Sequence, residues 1–230
     1  MSAIIELRNV WKTYRMGEVE VNALCGLNLK IKKGEFVAIQ GPSGSGKSTA
    51  MNMVGCLDIP TKGDIFLEGQ NIAKLHESDL AQIRGRKIGF IFQQFNLIPT
   101  LTALENVALP MTFQDVPADE RIKTAKELLA IVGLNDRMRH KPSEMSGGQQ
   151  QRVAIARSLS NKPEVILADE PTGNLDSRSG RDIIHFLKKM HEKEGKTFIL
   201  VTHDAALAKE ADRIEYLRDG KIVKSLNGVG

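Results

Sequence analysis

Short apolar runs alternate with amphipathic stretches in the first and last thirds of the chain. Short runs that are apolar apart from Thr197, and that are typical of buried strands, occur at residues 36–39, 165–168 and 197–201. Helical spacing of apolar residues follows these runs, at residues 49–54, 179–190 and 205–211. Alternation of strand and helix favours a parallel sheet covered by helices on both faces. The pattern therefore predicts an α/β fold.

Strands without helices between them are predicted near the two ends of the chain. Residues 4–10 and 21–31 have the alternating pattern of strands, and residues 64–72 have the pattern of strand, tight turn and strand. Near the carboxyl terminus, Asp219-Gly220 between two short apolar runs indicates a hairpin. We expect the amino-terminal strands to form an antiparallel β layer beside the parallel sheet.

The middle of the chain carries helix signals and no convincing strand. Capping-box patterns at residues 102–105 and 146–149 predict two helix starts, and the first of these helices is predicted to end before Pro110. We therefore expect a helical subdomain at about residues 95–160. It is inserted in a single domain that spans residues 1–230.

The most specific motif follows the first buried run and reads Gly41-Pro42-Ser43-Gly44-Ser45-Gly46-Lys47-Ser48, with Thr49 after it. It matches the phosphate-loop pattern G-x-x-x-x-G-K-[ST] at every fixed position, between a predicted strand and a predicted helix. Its glycines let backbone N–H groups turn toward phosphate oxygens at a helix N-terminus, which favours anions. Lys47 is expected to reach the β- and γ-phosphates, and Ser48 to hold Mg²⁺. The motif predicts binding of a nucleoside triphosphate.

Two adjacent carboxylates, Asp169 and Glu170, end the buried run at residues 165–168. A carboxylate at the end of a strand beside a phosphate loop helps to hold Mg²⁺, so we assign Asp169 to the metal. Glu170 is then placed to act as the general base that takes a proton from the attacking water. The alternative is a solvated acidic pair at a helix start, where the helix dipole favours carboxylates.

Composition adds few constraints. The net charge of +4 is mild and no long polybasic run occurs, so charge alone does not require a nucleic-acid or anionic-membrane partner. Cys25 and Cys56 are far apart and fit no metal-ligand pattern, which is typical of buried thiols in a reducing cytoplasm. No apolar run approaches the ~18 residues that span a bilayer. We expect any membrane connection to come through a partner.

Between the two phosphate elements lies Met145-Ser146-Gly147-Gly148-Gln149. With these three motifs in this order, the chain resembles the ATP-binding cassette (ABC) ATPases along essentially its whole length. The family signature is usually Leu-Ser-Gly-Gly-Gln, and Met145 replaces the leucine with an apolar residue of similar volume. The resemblance implies a phosphate-loop ATPase core with the antiparallel β layer and the helical subdomain described above, and Mg²⁺-dependent hydrolysis of ATP.

The resemblance assigns further residues to the site. Tyr14 matches the aromatic residue that stacks on adenine, and Gln93 matches the glutamine that reaches Mg²⁺ and the attacking water, with Gln94 as its rival by one position. His203 matches the histidine that contacts the γ-phosphate and the catalytic carboxylate. Asp176 lies in the loop that crosses to the partner subunit, and it also fits a helix N-cap. The remaining histidines, at positions 76, 140, 185 and 191, are interpreted as structural.

The family resemblance also implies a dimer. Two chains meet head to tail, so that Ser146, Gly147, Gly148 and Gln149 of one chain close over ATP bound at Gly41–Thr49 of the other. ATP then stabilises a two-fold symmetric interface, and hydrolysis removes that stabilisation.

Two classes of ABC ATPase remain as functional hypotheses. In the first, the chain drives an integral membrane permease and lies on the inner face of the cell membrane, with residues 95–99 either receiving the permease or packing in the core. In the second, it is a soluble ATPase of DNA repair, chromosome organisation or translation. Such proteins carry a long coiled coil or tandem cassettes, and this chain has one cassette and no sustained heptads. The transporter hypothesis is therefore preferred, and no nucleic-acid partner is expected.

Within the transporters, the stretches at residues 92–97 and 170–177 resemble those of one group. This group comprises the stand-alone ATPases of lipoprotein-release, macrolide-export and cell-division complexes.

Overall fold

The computed structural model describes residues 3–227 of the chain. Its strands are β1 (Ala3–Met16), β2 (Val19–Lys32), β3 (Phe36–Gln40), β4 (Lys62–Leu67), β5 (Gln70–Asn71), β6 (Ile88–Ile91), β7 (Val165–Asp169), β8 (Thr197–Thr202), β9 (Arg213–Arg218) and β10 (Lys221–Asn227). Its α-helices are α1 (Lys47–Val54), α2 (Glu77–Lys87), α3 (Ala103–Thr112), α4 (Ala118–Ile131), α5 (Gly147–Leu159), α6 (Ser177–Glu194) and α7 (Ala205–Ala208).

These elements are divided between two compact units. The first unit contains residues 3–84 and 188–227, and the second is Gly85–Leu187. The second unit includes the region expected to be a helical subdomain, together with the strands β6 and β7.

The first unit contains the expected antiparallel layer, with strand order β2-β1-β4-β5. β1 runs six residues beyond its predicted end at Val10, and Tyr14 still pairs with Val21 of β2. The additional residues are mostly polar, so their pattern does not indicate a strand. Backbone hydrogen bonds to β2 hold this part of β1, in which the register shifts between Val10 and Trp11 and again between Lys12 and Thr13.

The first unit also contains strands in the order β10-β9-β3-β8. β3 runs parallel to both of its neighbours, and every residue of β3 and β8 is buried, as their apolar runs predict. The hairpin between β9 and β10 is confirmed, with φ angles of 48° at Asp219 and 71° at Gly220. Such positive φ angles suit the twist of a two-residue hairpin turn.

In the second unit, β6 and β7 form a parallel pair, and the residues between them form helices and irregular segments. Both predicted capping boxes are present, at the starts of α3 and α5. The prediction that α3 ends before Pro110 is wrong, because the helix continues to Thr112. Proline removes one backbone hydrogen bond and crowds the carbonyl one turn before it, but the residues after it keep their own N–H groups and can complete the last turn.

Two other helices depart from what the sequence pattern predicts. α7 ends at Ala208 rather than at residue 211, because the next hydrogen bonds, from Glu210 to Leu207 and from Ala211 to Ala208, have the spacing of a tighter 3-10 turn. α2 was not predicted at all. Leu80 is its one buried residue, so the helix has no apolar stripe that could reveal it.

Candidate functional site

The glycines at the two ends of the phosphate loop are required by close packing. A Cβ at Gly41 would lie 2.1 Å from the carbonyl oxygen of Leu217, and one at Gly46 would lie 2.5 Å from that of Ala23. Gly46 also has a φ of 100°, in the left-handed region that favours glycine. The loop is thus held against β2 and β9 in a conformation that other residues cannot adopt without displacing a strand.

Lys47 begins α1, and its side chain folds back over the loop. Nζ donates hydrogen bonds of 2.8 Å to the carbonyl oxygens of both Gly41 and Pro42. Between these residues and the helix, Ser43 and Gly44 are exposed, as is Ser48 in the helix itself. The exposed backbone and the ammonium group therefore offer donors to an anion at the helix N-terminus.

Tyr14 lies in β1 beside the phosphate-loop helix. Its hydroxyl donates to Asp58 Oδ2 at 3.0 Å, and the same carboxylate accepts from Lys12 Nζ at 2.6 Å. Burial, followed by the hydrogen bond and charge of Asp58, raises the pKa of Tyr14, while Thr49 acts in the opposite direction. The phenol is neutral at physiological pH, and the hydrogen bond from its hydroxyl to Asp58 holds the half-buried ring in place.

His203 is exposed at the carboxyl end of β8. β8 is parallel to β3, and Gln40 is in register with Thr202, so Gly41 and His203 leave neighbouring strands at the same edge of the sheet. The next residue, Asp204, caps α7 by accepting from the N–H of Ala206 at 2.7 Å. Strand register therefore places the histidine beside the start of the phosphate loop.

An equivalent register in the second unit relates Gln93 to Glu170. β6 and β7 are parallel, with Ile91 opposite Ala168. Gln93 lies two positions after Ile91, and Glu170 lies two positions after Ala168. The segments that follow are in contact: Asn174 Nδ2 donates to the Gln93 carbonyl at 2.9 Å, and a Cβ on Gly173 would lie 2.8 Å from Gln93 Nε2. Gln93, rather than Gln94, makes the contacts with the segment after Glu170.

Asp169 and Glu170 are both half-buried at the end of β7. Glu170 has a φ of 44°, which is unusual for a residue with a side chain. A turn follows immediately, closed by a hydrogen bond of 3.0 Å from the Gly173 N–H to the Glu170 carbonyl. The strand thus ends abruptly, and the two carboxylates occupy different backbone conformations.

Ser146 caps the N-terminus of α5 in a capping box. Its hydroxyl accepts from the Gln149 N–H at 3.3 Å, and its own N–H donates to Gln149 Oε1 at 2.9 Å. Met145, before the cap, is buried, as expected for a residue in place of the usual leucine. The N–H groups of Gly147 and Gly148 lie in the first turn, where a helix leaves donors without intrahelical partners. This turn is suited to bind an anion.

Asp176 fulfils the N-cap prediction. Its Oδ1 accepts from the N–H groups of Arg178 and Ser179, both at 3.0 Å, at the start of α6. Hydrogen bonds from Ser179 lower the pKa of this carboxyl, so Asp176 is charged at physiological pH. Its role toward a partner subunit stays a prediction.

Sequence reasoning missed Gln151, which is fully buried in α5 and donates to the backbone next to Glu170. The signal was a polar residue on a helical face whose other members are apolar or small. That face comprises residues 151, 154, 155 and 158, all of them buried.

Comparison with known proteins decides between the hypotheses. Residues 24–173 match the family model described as "ABC transporter". The chain belongs to the ABC transporter family. It is 54% identical over 222 residues to an uncharacterized ABC transporter ATP-binding protein of Thermotoga maritima, covering 96% of this chain and 94% of that one. Family membership establishes an ATP-binding subunit that hydrolyses ATP to drive transport.

A solved structure supports the same assignment. It is a dimeric, post-hydrolysis state of the ATP-binding cassette MJ0796, bound to ADP and Pi, which is 51% identical with a TM-score of 0.91 and covers 98% and 99% of the two chains. MJ0796 is from Methanocaldococcus jannaschii. The ABC ATPase fold predicted from sequence, with its parallel strands, antiparallel β layer and helices, is thereby confirmed.

The macrolide export ATP-binding/permease protein MacB of Brucella melitensis is another relative. It is 51% identical over 220 residues, which are 96% of this chain and 34% of MacB. The chain thus matches the macrolide-export and lipoprotein-release group of the ABC family. Within residues 3–227, no helix is both long and apolar enough to cross a membrane.

Proposed function

We propose that two copies of this ABC ATPase assemble head to tail around two ATP molecules and drive a separate membrane subunit. The dimeric MJ0796 relative, bound to the hydrolysis products, supports the assembly. The observation that carries the proposal is the capped N-terminus of α5, a second anion-binding turn in a chain that already has a phosphate loop. In a head-to-tail pair, each anion-binding turn meets the phosphate loop of the other copy.

The residues of one copy would bind the nucleotide in defined roles. Tyr14 would stack on adenine, and the loop from Gly41 to Gly46 would surround the phosphates with its N–H groups. Lys47 would exchange its two bonds to loop carbonyls for charge-assisted bonds to the β- and γ-phosphates. Thr49 would assist from the first turn of the helix.

Hydrolysis would depend on the carboxylate that follows β7. Glu170 would accept a proton from the attacking water, and Gln93 would orient that water. His203 would donate a hydrogen bond to the γ-phosphate as charge develops on it. Each of these side chains follows the carboxyl end of a strand, so its backbone is attached to a rigid element, as a catalytic group requires.

The oxygen donors Ser48, Gln93 and Asp169 suit Mg²⁺, which is bound in such sites through one or two carboxylates, waters and substrate phosphates. No group of three or more His, Cys, Asp or Glu side chains in residues 3–227 could hold a metal ion. The proposed Mg²⁺ site does not require such a group, because only one of its three protein ligands is a carboxylate. When bound, Mg²⁺ would supply positive charge to the β- and γ-phosphate oxygens.

The second copy would complete each site with Ser146–Gln149 and Asp176. Contacts from that copy to the phosphates exist only in the closed pair, so ATP favours closure and its hydrolysis favours opening. The membrane partner would be an integral permease, since MacB joins ATP-binding and permease functions in one protein. The chain would then lie on the cytoplasmic face of the cell membrane.

Replacement of the general base tests this proposal. We expect Glu170→Gln to keep ATP affinity, to lose hydrolysis by ~100-fold or more, and to accumulate an ATP-bound dimer, because the bound nucleotide can no longer be cleaved. Light scattering with and without ATP and Mg²⁺ measures the dimer.

The comparison variant is Lys47→Ala, which should bind no ATP and remain monomeric under the same conditions. A Glu170→Gln variant that binds ATP and yet stays monomeric would refute the head-to-tail assembly. Normal ATP binding by Lys47→Ala would refute the role of the phosphate loop.

A further inference from the structure

Gln151 is a buried polar residue in the second turn of α5. Its side chain is fully inaccessible to solvent, and its Nε2 donates a hydrogen bond of 2.6 Å to the carbonyl oxygen of Pro171. The same nitrogen lies 3.5 Å from the carbonyl oxygen of Phe92. Carbonyl oxygens only accept hydrogen bonds, so the orientation of the amide is determined by its partners.

The two carbonyl groups belong to residues adjacent to the chemistry. Pro171 directly follows Glu170, and Phe92 directly precedes Gln93. α5 itself begins at the anion-binding turn capped by Ser146. One side-chain amide therefore links the helix that would contact the partner copy to the backbone that carries the base and the water-orienting glutamine.

The conformation of Glu170 explains why such a link is needed. Its φ of 44° is in the left-handed region, which a residue with a side chain adopts only when the surroundings hold it there. The turn bond from Gly173 holds the carbonyl of Glu170, and Gln151 holds that of the next residue. Together they restrain both peptide groups that follow the carboxylate.

Burial alone does not account for glutamine at this position. Its Oε1 is buried and accepts no hydrogen bond within residues 3–227. A buried acceptor without a partner is unfavourable; an apolar side chain of the same length would avoid that cost, but it would also leave the Pro171 carbonyl oxygen without this donor. A requirement for the donor at Pro171 explains why an amide is present despite this cost.

A second residue of α5 supports the same arrangement. Arg157, whose pKa is lowered by burial, donates to the carbonyl oxygens of Phe95 at 2.9 Å and Asn96 at 2.6 Å. The segment at residues 92–96, which contains Gln93, is thus contacted at both ends by α5. Arg157 contacts only this segment, through Phe95 and Asn96. Gln151 contacts both this segment and the backbone that follows Glu170, so it joins the two.

We propose that Gln151 is a positioning residue for hydrolysis: through Pro171 and Phe92 it aligns Glu170 and Gln93 with the start of α5. This inference rests on the proposed function, in which α5 meets the nucleotide of the partner copy. Gln151 is fully buried, so it would contact neither the nucleotide nor the attacking water. Its removal therefore affects the rate of cleavage and leaves ATP binding intact.

The test is Gln151→Met, which keeps length and volume and removes the donor. We expect kcat to fall ~10- to 100-fold, as misplacement of a catalytic group by about 1 Å does. The KM and the affinity for ATP should stay within ~2-fold of wild type, because the positioning residue acts on the cleavage step only. The matched control is Gln114→Met, a half-buried glutamine of the same unit that pairs with Arg86 and should leave kcat unchanged.

Gln151→Glu provides an independent second variant of nearly the same shape. Its carboxyl group can donate to Pro171 only while it is protonated, so the loss of kcat should grow as the pH rises and the carboxyl ionises, with ATP binding retained. Whichever of the two variants folds and binds ATP gives the answer. An unchanged kcat, or a loss that comes entirely from weaker ATP binding, overturns the proposal.

A double variant separates this proposal from the proposed function. In the Glu170→Gln background, adding Gln151→Met should leave the ATP-dependent dimer intact, since the residue positions the base and does not hold the interface. If the double variant loses the dimer that Glu170→Gln alone forms, Gln151 acts on assembly and the positioning role is wrong. If Glu170→Gln alone forms no dimer, the proposed function itself fails.

Discussion

Cys56 shows how burial at one residue determines its chemistry. The side chain follows α1 and is 1% exposed, and burial raises the pKa of its thiol to about 11. Cys25, by contrast, is half-buried in β2, so the expectation of two buried thiols holds for Cys56 only. Thiolate is the reactive form of cysteine, so Cys56 should be inert in the folded protein.

We therefore predict that Cys56 does not react with a thiol reagent until the protein unfolds. At pH 8, about one Cys56 thiol in a thousand would be ionised, and access is blocked as well. In a Cys25→Ser variant, titration with a chromogenic disulfide should detect no thiol in native protein and one thiol in denaturant. Rapid labelling of that variant in its native state would contradict the burial.

At Gly41 and Gly46 of the phosphate loop, the environment determines which residue type can be accommodated. The requirement for glycine at positions 41 and 46 is visible in the motif, but its cause is the approach of two strands, whose carbonyl oxygens lie 2.1 and 2.5 Å from where a Cβ would be. The motif thus identifies the residues, and the packing explains why no other residue is possible.

At the scale of elements, helix caps determine where the loops of the second unit are held. Thr102 and Glu105 form a capping box at the start of α3, with the carboxylate accepting from the Thr102 N–H at 2.8 Å and from its hydroxyl at 2.7 Å. These hydrogen bonds, the one from the backbone first, lower the pKa of Glu105. One turn later, the buried Asn106 side chain bonds both backbone groups of Ile98. Asn106, close to the capped start of α3, thus anchors the segment that leads from Gln93 into the helices.

Thr102→Ala should lower the free energy of unfolding by ~1 kcal/mol at neutral pH, because the first turn of α3 loses its cap. The pKa of Glu105 lies below its ordinary 4.5 in the folded chain, so the stabilisation of the folded state by ionised Glu105 is fully present above pH 4.5. The contribution is lost as the pH falls through the lowered pKa, and the difference between variant and wild type should shrink in acid.

Urea denaturation across this pH range measures both effects. Thr112→Ala makes the same chemical change at an exposed position at the other end of the same helix, away from the N-terminal capping box, and should alter stability by less than ~0.5 kcal/mol. An equal loss in the two variants would show that the cap contributes nothing.

At the scale of the whole molecule, each chain carries both kinds of anion-binding turn. One is the phosphate loop of the first unit, and the other is the start of α5 in the second. In a two-fold symmetric pair, each site takes one turn from each copy.

The longest helix in residues 3–227 is α6, with 18 residues, so that part of the chain contains no long coiled coil of the kind that the soluble ABC ATPases carry.

Mixing two inactive variants should therefore restore activity. Lys47→Ala removes one kind of turn and Ser146→Arg blocks the other, so each variant alone forms no complete site. A mixed pair contains one complete and one doubly defective site, and random pairing would make about a quarter of all sites complete. ATPase measurements on an equimolar mixture should exceed the sum of the separate variants, and activity no higher than that sum would exclude shared sites.

The sequence by itself determined the features that contiguous residues specify. The phosphate loop, the two capping boxes, the hairpin turn and the buried strands were predicted from short segments, because each depends on local backbone geometry and periodicity. Family resemblance then indicated Tyr14, Gln93, Asp176 and His203, whose roles in this chain stay predictions. Local reasoning was wrong where backbone pairing or a last-turn proline extended β1 and α3 beyond their patterns.

Only the tertiary structure decided which distant residues act together. The registers of Gln40 with Thr202 and of Ile91 with Ala168 place His203 and Gln93 at particular strand ends. The bond of Gln151 to Pro171 spans 20 residues of sequence, and no local pattern predicts it. The physical reason is that a non-local contact depends on which elements become neighbours, and that outcome is shared among all the side chains of the core.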